Sequence, residues 1–273
     1  MQLMIGTDPE VFVRDTSGKY FSGHDLIPGT KEQPYPVKSG AIQVDGVALE
    51  FNTAPAKTKE EFVSNISDVL SELEKEYKKL RPDLMIAMTP TATFDKDYFD
   101  ALPEKPKELG CTPDYNAYTG EQNEPPSTDE PFRTGSGHIH LGWTQWENPH
   151  GSSHFKQCCG LVRQLDAILY PASLLWDSDD RRRSLYGKIG AFRPKSYGVE
   201  YRPLSNAYLA SKETQERVFD IAMKASQDFF NGIIYEETNE VGDFVYAIRS
   251  GIPIIKHELE AYLNNMKEWF NVG

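Results

Sequence analysis

The chain has 273 residues, with 41 acidic against 29 basic side chains and a formal net charge of −12. That balance argues against a broad basic surface for duplex nucleic acid or anionic membrane, and no stretch approaches the ~18 apolar residues of a spanning helix. The length allows a substantial core, and no repeat, low-complexity tract or clean linker divides it, so residues 1–273 read as one domain.

The first residues, Met1 to Asp8, have no basic region followed by a cleavable apolar core, so nothing there suggests export. Cys111, Cys158 and Cys159 are odd in number and lack metal-type spacing, which fits a reduced, cytoplasmic setting.

Leu3 to Val13 reads as a strand with Asp8 and Glu10 on one face and Pro9 between them. A proline in a strand belongs where its missing N–H is not needed. Two carboxylates on one strand face repel unless a cation or arginine sits between them, the alternative being an exposed acidic edge. Gly23 to Gly40 reads as a loop, and Ala41 to Thr53 as two short strands around Asp45-Gly46, with Ala48, Glu50 and Asn52 sharing a face. Thr58 and Glu61 form a capping-box signature ahead of a helix carrying Phe62, Ile66, Val69, Leu73 and Tyr77, which Arg81-Pro82 ends. Leu84 to Phe94 suggests another strand. Residues 95–132, polar and Pro-rich, read as a lid or substrate loop.

In Arg133 to Trp143, strand alternation with Ile139 and Leu141 facing a core sets His138 and His140 together on the other face. Two such imidazoles can share a metal ion or hold a phosphate; the plainer alternative is a half-buried strand with solvent-facing histidines. Ser153 to Trp176 reads as a long buried helix. Asp177 to Lys195 gathers Arg181, Arg182, Arg183, Lys188, Arg193 and Lys195, the cationic set a polyphosphate requires, although Arg181 and Arg182 fit a self-neutralising surface turn. Tyr197 to Leu204 reads as a strand with Glu200 and Arg202 on one face. Ser211 to Gly232 and Pro253 to Phe270 read as packing helices.

Four pieces in order, Gly6-Thr7-Asp8-Pro9-Glu10, Asp45 through Pro55, Gly135-Ser136-Gly137-His138-Ile139-His140 and Tyr197 through Arg202, resemble the active-site strands of the glutamine synthetase and glutamate–cysteine ligase superfamily. Within it the chain looks most like the phage-type carboxylate–amine (COOH–NH2) ligases, type 2. The resemblance implies an α+β fold in which a curved, mostly antiparallel sheet carries helices on its convex face and ATP with two or three Mg2+ ions on its concave face, Mn2+ substituting. It implies Asp8, His138 and Glu200 on the metal bridging the ATP β- and γ-phosphates, and Glu10 and Glu50 on the metal nearer the substrates. Arg193 and Arg202 would meet the transferring phosphate, with Arg183, Lys188 and His140 as further ATP contacts. Asp114 in the lid could hold or deprotonate the amine. Asp8 stands where better-known synthetases carry Glu, and Asp45 lies closer to Glu50 than the family's paired acids, which puts its role as a ligand in doubt. A phage origin would make the setting the host cytoplasm. The partners implied are a small-molecule or peptide carboxylate and an amine, with homo-oligomerisation open because large relatives form rings.

The residue types support this chemistry independently. Mg2+ takes hard oxygen ligands and tolerates an occasional imidazole, and a carboxylate condenses with an amine once its oxygen becomes a phosphate leaving group. No phosphate-binding P-loop run is present, so ATP would be held another way. The rivals are a Zn2+-type amide hydrolase using His-x-His, a guanidino-kinase-like phosphotransferase, and a decayed site that only binds.

Overall fold

The strand expected over Leu3 to Val13 changes partners at Pro9. In the computed structural model, which describes residues 2–107, 114–124, 131–145, 147–237 and 239–270, the strands are β1 (Met4–Thr7), β2 (Glu10–Arg14), β3 (Tyr20–Phe21), β4 (Tyr35–Val37), β5 (Gly40–Asp45), β6 (Ala48–Thr53), β7 (Met85–Ala87), β8 (Thr91–Thr93), β9 (Tyr115–Asn116), β10 (Phe132–Thr134), β11 (Ile139–Gly142), β12 (Ala191–Lys195) and β13 (Gly198–Tyr201). The helices are α1 (Lys59–Lys78), α2 (Lys96–Asp100), α3 (Glu104–Lys107), α4 (Ser152–Ser173), α5 (Asp180–Leu185), α6 (Lys212–Phe230), α7 (Asn239–Arg249) and α8 (Lys256–Phe270). Cys111 lies outside the described residues, and none of the helices is long and apolar enough to cross a membrane.

The architecture is α+β, and every strand pairing among the described residues is antiparallel. One expectation needs correction: the polar strands do not belong to a single hydrogen-bonded sheet. One sheet runs β1-β11-β13-β12-β9, a second runs β3-β2-β6-β5-β4 with β7 added to β2, and β8 pairs with β10. The seam is Asp8-Pro9-Glu10. Asp8 N–H and Glu10 N–H still donate to His138 O and Ser136 O (3.4 and 3.0 Å), while Pro9 O accepts from Phe51 N–H at 3.2 Å in the second sheet. Proline supplies an acceptor and needs no partner for a donor, so it suits the residue where the ladder hands over. Leu84 to Phe94 likewise divides, β7 joining β2 and β8 joining β10.

Helices back both sheets. Helix α1 begins with the expected reciprocal cap, Thr58 accepting from Glu61 N–H, and buries Phe62, Ile66, Val69, Leu73 and Tyr77 against β5 and β6. Helix α4 packs under β12 and β13, and α6 lies against α1 and α4. Ile5, Ile139, Leu141, Phe192, Val199 and Tyr201 point to this side and are fully buried. Burying each such side chain stabilises the fold by roughly 1.5–3 kcal/mol. The opposite positions are left to polar groups.

Of residues 95–132, those described are less irregular than the sequence suggests: α2 and α3 fall in them, and β9 adds an edge to the first sheet, while 108–113 and 125–130 lie outside the described residues. The stretch Gly23 to Gly40, expected as a loop, contributes the short edge strand β4, which pairs with β5; β3 and α7 carried no expectation.

Candidate functional site

Antiparallel register builds the site rung by rung. Gly6 faces His140, His140 faces Glu200 and Glu200 faces Arg193 across β1, β11, β13 and β12. In the second sheet Glu10 faces Glu50, which faces Gln43, and Asp45 lies two residues beyond Gln43 on the same face. The rows meet at the Asp8–Glu10 seam, around a cavity of about 240 Å³. Its wall includes Asp8, Glu10, Asp45, Glu50 and Glu200 together with Lys31, Arg133, Arg193, Lys195, Arg202, His138 and Tyr186.

At one end stands Glu200, fully buried. Arg193 Nη1 lies 3.1 Å from both carboxylate oxygens, Lys195 Nζ donates at 2.7 Å, and Arg202 Nη1 donates to Oε1. Arg202 Nε also donates to Asp114 Oδ2 at 2.9 Å, and Asp114 Oδ1 accepts from Asn123 at 2.8 Å. Asp114 therefore holds the Arg202 fork in orientation, with both of its oxygens engaged.

Beside Glu200 sit Asp8 and the two histidines. His140 Nε2 is 3.0 Å from Asp8 Oδ1, and His138 Nδ1 is 3.5 Å from both Asp8 and Glu200. His140 Nδ1 is hydrogen-bonded to the Tyr197 hydroxyl. Burial pushes the Asp8 carboxyl up, but the attraction of His140 and His138 outweighs it and holds Asp8 well below the usual carboxylate range. Burial, then the Arg202 charge, drives His138 well down, which leaves it neutral; burial opposes but Asp8 raises His140. Asp8 Oδ1, His138 Nε2 and His140 Nε2 are buried without a properly aligned hydrogen bond among the described residues. Asp8, His140 and Glu200 each offer a ligand atom, all within 4.8 Å of one another. The geometric trio thus contains His140, with His138 alongside.

At the other end carboxylates face carboxylates. Burial and the Asp45 charge push Glu10 up to about 7, against the Ser136 amide that donates to it at 3.0 Å. Burial, then Asp8, Glu10 and Asp45, raise Glu50 well above its ordinary value, although Gln43 donates to it at 2.7 Å. Asp45 lies 3.6 Å from Lys31. Converging hard oxygens that repel one another, beside buried polar atoms without aligned partners, suit a divalent cation in donor type and charge.

Arg183 and Lys188 are not brought to this cavity. Arg183 is spent on Asp177 and Asp180, at 2.9 Å to the Asp177 carbonyl and 2.8 Å to the Asp180 carboxylate, and Lys188 is exposed. The surface-turn expectation fails for Arg182, which is completely buried, while Arg181 lies 3.6 Å over the Phe132 ring. One turn of helix α5 explains the split, since adjacent helical residues point about 100° apart. Lys31, Gln43, Arg133 and Tyr186 also line the cavity and carry no signal of it in the sequence, whereas Lys195, part of the basic run, lines it on the strand face of Arg193, two residues away.

A second cavity, about 740 Å³, opens on the other side of the Asp8–Glu50 wall and also touches Gln43. Met4, Pro55, Trp143 and Tyr197 supply apolar surface; Asn52, Thr53, Thr144, Gln145 and His140 supply polar atoms. Among the described residues lining it there is no lysine or arginine.

Fold and site together define a class: an antiparallel α+β scaffold that packs acids, imidazoles and guanidiniums around one charge-dense cavity, a donor set suited to oxyanions and divalent cations. Residues 129–231 match the family described as phage phiEco32-like COOH.NH2 ligase-type 2. The matched segment carries His138, His140, Arg193, Glu200 and Arg202, and the family's name is that of a carboxylate–amine ligase. A search of curated proteins returns no significant match.

Proposed function

We propose that the protein is an ATP- and Mg2+-dependent carboxylate–amine ligase, an amidoligase, on a glutamine synthetase-like scaffold. The observation that carries this reading is the convergence, in one 240 Å³ cavity, of mutually repelling carboxylates suited to a divalent cation with guanidinium groups suited to phosphate. In the 740 Å³ cavity, apolar and uncharged polar walls suit a nucleoside, whose phosphates then reach past Asp8 into the charged cavity.

Glu10 and Glu50 would hold one Mg2+, and Asp8, Glu200 and the His138–His140 pair another, with Mn2+ able to substitute. When bound, these ions neutralise phosphate charge as the γ-phosphoryl group leaves ADP. Arg193, Arg202 and Lys195 orient that group and spread its charge. The substrate carboxylate oxygen attacks the γ-phosphorus, breaking the bond to ADP and giving an acyl phosphate. The amine nitrogen then attacks the acyl carbon, loses a proton to the cavity's carboxylates, and phosphate departs as the C–O bond breaks. Residues 95–132 serve as the lid that keeps water from the acyl phosphate. Asp114 acts through Arg202 rather than as the base. Arg183 and Lys188 drop out of the ATP contacts.

ADP and phosphate release that requires both Mg2+ and a carboxylate, with hydroxamate formed when hydroxylamine replaces the amine, is the expected result. Amide cleavage without nucleotide would overturn the reading in favour of a hydrolase, and a stable phosphorylated product without amide would favour a kinase-like activity.

A further inference from the structure

Among the described residues Arg182 is the largest side chain with no exposed surface. A guanidinium withdrawn from water is costly unless its donors are matched. Here the two ends of the fork donate to main-chain carbonyls, Nη1 to Pro203 and Nη2 to Leu204, each at 2.7 Å, while Nε has no hydrogen-bond partner among the described residues. Those carbonyls follow Arg202 directly in the chain. Leu204 O also accepts from Gly137 N–H at 2.9 Å, the residue just before His138. Two residues on, Asn206 ties the same segment to the carbonyls of Gly135 (3.3 Å) and Glu10 (2.8 Å).

The surroundings are built for this grip. Asp179 caps α5 by accepting from Arg182 N–H at 3.1 Å, which sets the helix that carries the arginine. Tyr186, at the end of the same helix, spreads its ring 5.9 Å from the Arg182 guanidinium, 5.2 Å from that of Arg202 and 6.0 Å from the His138 ring. Gly187 has φ 77°, which favours glycine, and a Cβ there would crowd the Arg182 guanidinium.

We propose that Arg182 is a positioning residue of the site: its two-pronged hold on the Pro203 and Leu204 carbonyls fixes where the Arg202 fork and the His138 ring stand toward the transferred phosphoryl group. Lysine cannot make this hold, because one ammonium does not span two carbonyls in the fixed geometry of a fork. The inference rests on the ligase reading for its kinetic readout.

The test is Arg182→Lys in the full chain, with turnover and ATP affinity measured separately. Misplacing reacting groups without touching the nucleotide lowers kcat by about 100-fold and leaves the ATP dissociation constant within about threefold. A folded Arg182→Lys with wild-type kcat overturns the proposal, as does one in which ATP affinity falls in parallel with kcat. If that variant does not fold, Gly187→Ala, which keeps the arginine and crowds it, is read in the same way. Amide hydrogen exchange gives a readout without turnover: the Gly137 and Asn206 amides exchange faster in Arg182→Lys while those of α1 do not change. Unchanged protection at Gly137 overturns the positioning role even if the wild type proves inactive on ATP, an outcome that would itself sink the ligase reading.

Discussion

The two ends of the charged cavity solve opposite problems. Glu200 is a buried carboxylate surrounded by Arg193, Lys195 and Arg202, whereas Glu50, half-buried, faces Asp8, Glu10 and Asp45, and among the described residues the Gln43 amide donates to it. Among the described residues, the acid at one end meets three cationic side chains, while the acid at the other meets mainly further acids. The same chemical group therefore stabilises the fold at one end and strains it at the other.

The comparison breaks most sharply at Glu200. Glu200→Ala leaves three cations without their common partner and should cost about 3–5 kcal/mol of stability as well as activity. Urea unfolding and ATP turnover measure the two losses, and unaltered stability would mean the balance described at this end is wrong. Next in size is Arg202→Lys: a point charge cannot serve Glu200 and Asp114 together, so kcat should drop by about 100-fold with the fold retained. Glu50→Gln has the opposite sign from Glu200→Ala. It removes repulsion, so the metal-free protein at pH 8 should gain stability while Mg2+-dependent turnover is lost; a loss of stability would place a cation-like partner beside Glu50 already.

The smallest effect is in pH dependence. The carboxyl of Glu10 is raised from 4.5 to about 7, so the folded protein binds more protons than the unfolded chain between those values. The associated stability is complete below about pH 4.5 and is lost as pH rises through about 7. Saturating Mg2+ should remove that loss. Asp166, on the helix side of the sheet and bonded to Tyr201 at 2.8 Å, is raised by burial to about 8 and supplies a control. Its stability falls from about pH 4 to about 8 whether or not Mg2+ is present, and Asp166→Asn should flatten that part alone. Unfolding midpoints across pH, with and without Mg2+, separate the two.

Much of this contrast was legible in residue spacing. The alternation around Ile139 and Leu141 put His138 and His140 on the site face, the Thr58–Glu61 pair announced α1, and Asp45-Gly46 marked the β5–β6 turn. What spacing could not show was handedness within the basic run. Arg181, Arg182 and Arg183 are adjacent and chemically alike, yet a single helical turn sends one onto a ring, one into the core and one to Asp177. Nor could it show that Pro9 divides the first strand between two sheets, because both halves alternate correctly and only their partners differ. Nor could it show how close Asp45 comes to the other acids: the β5–β6 hairpin sets it on the face of Gln43, the residue that pairs with Glu50.

The most direct test of the central claim is a crystal structure with Mn2+ and a non-hydrolysable ATP analogue, read by anomalous scattering. The account predicts manganese between Glu10 and Glu50 and beside Asp8, His140 and Glu200, with the γ-phosphate on Arg193 and Arg202 and the base against Trp143 and Tyr197. Nucleotide bound elsewhere, or manganese absent from both ends of the cavity, would contradict it.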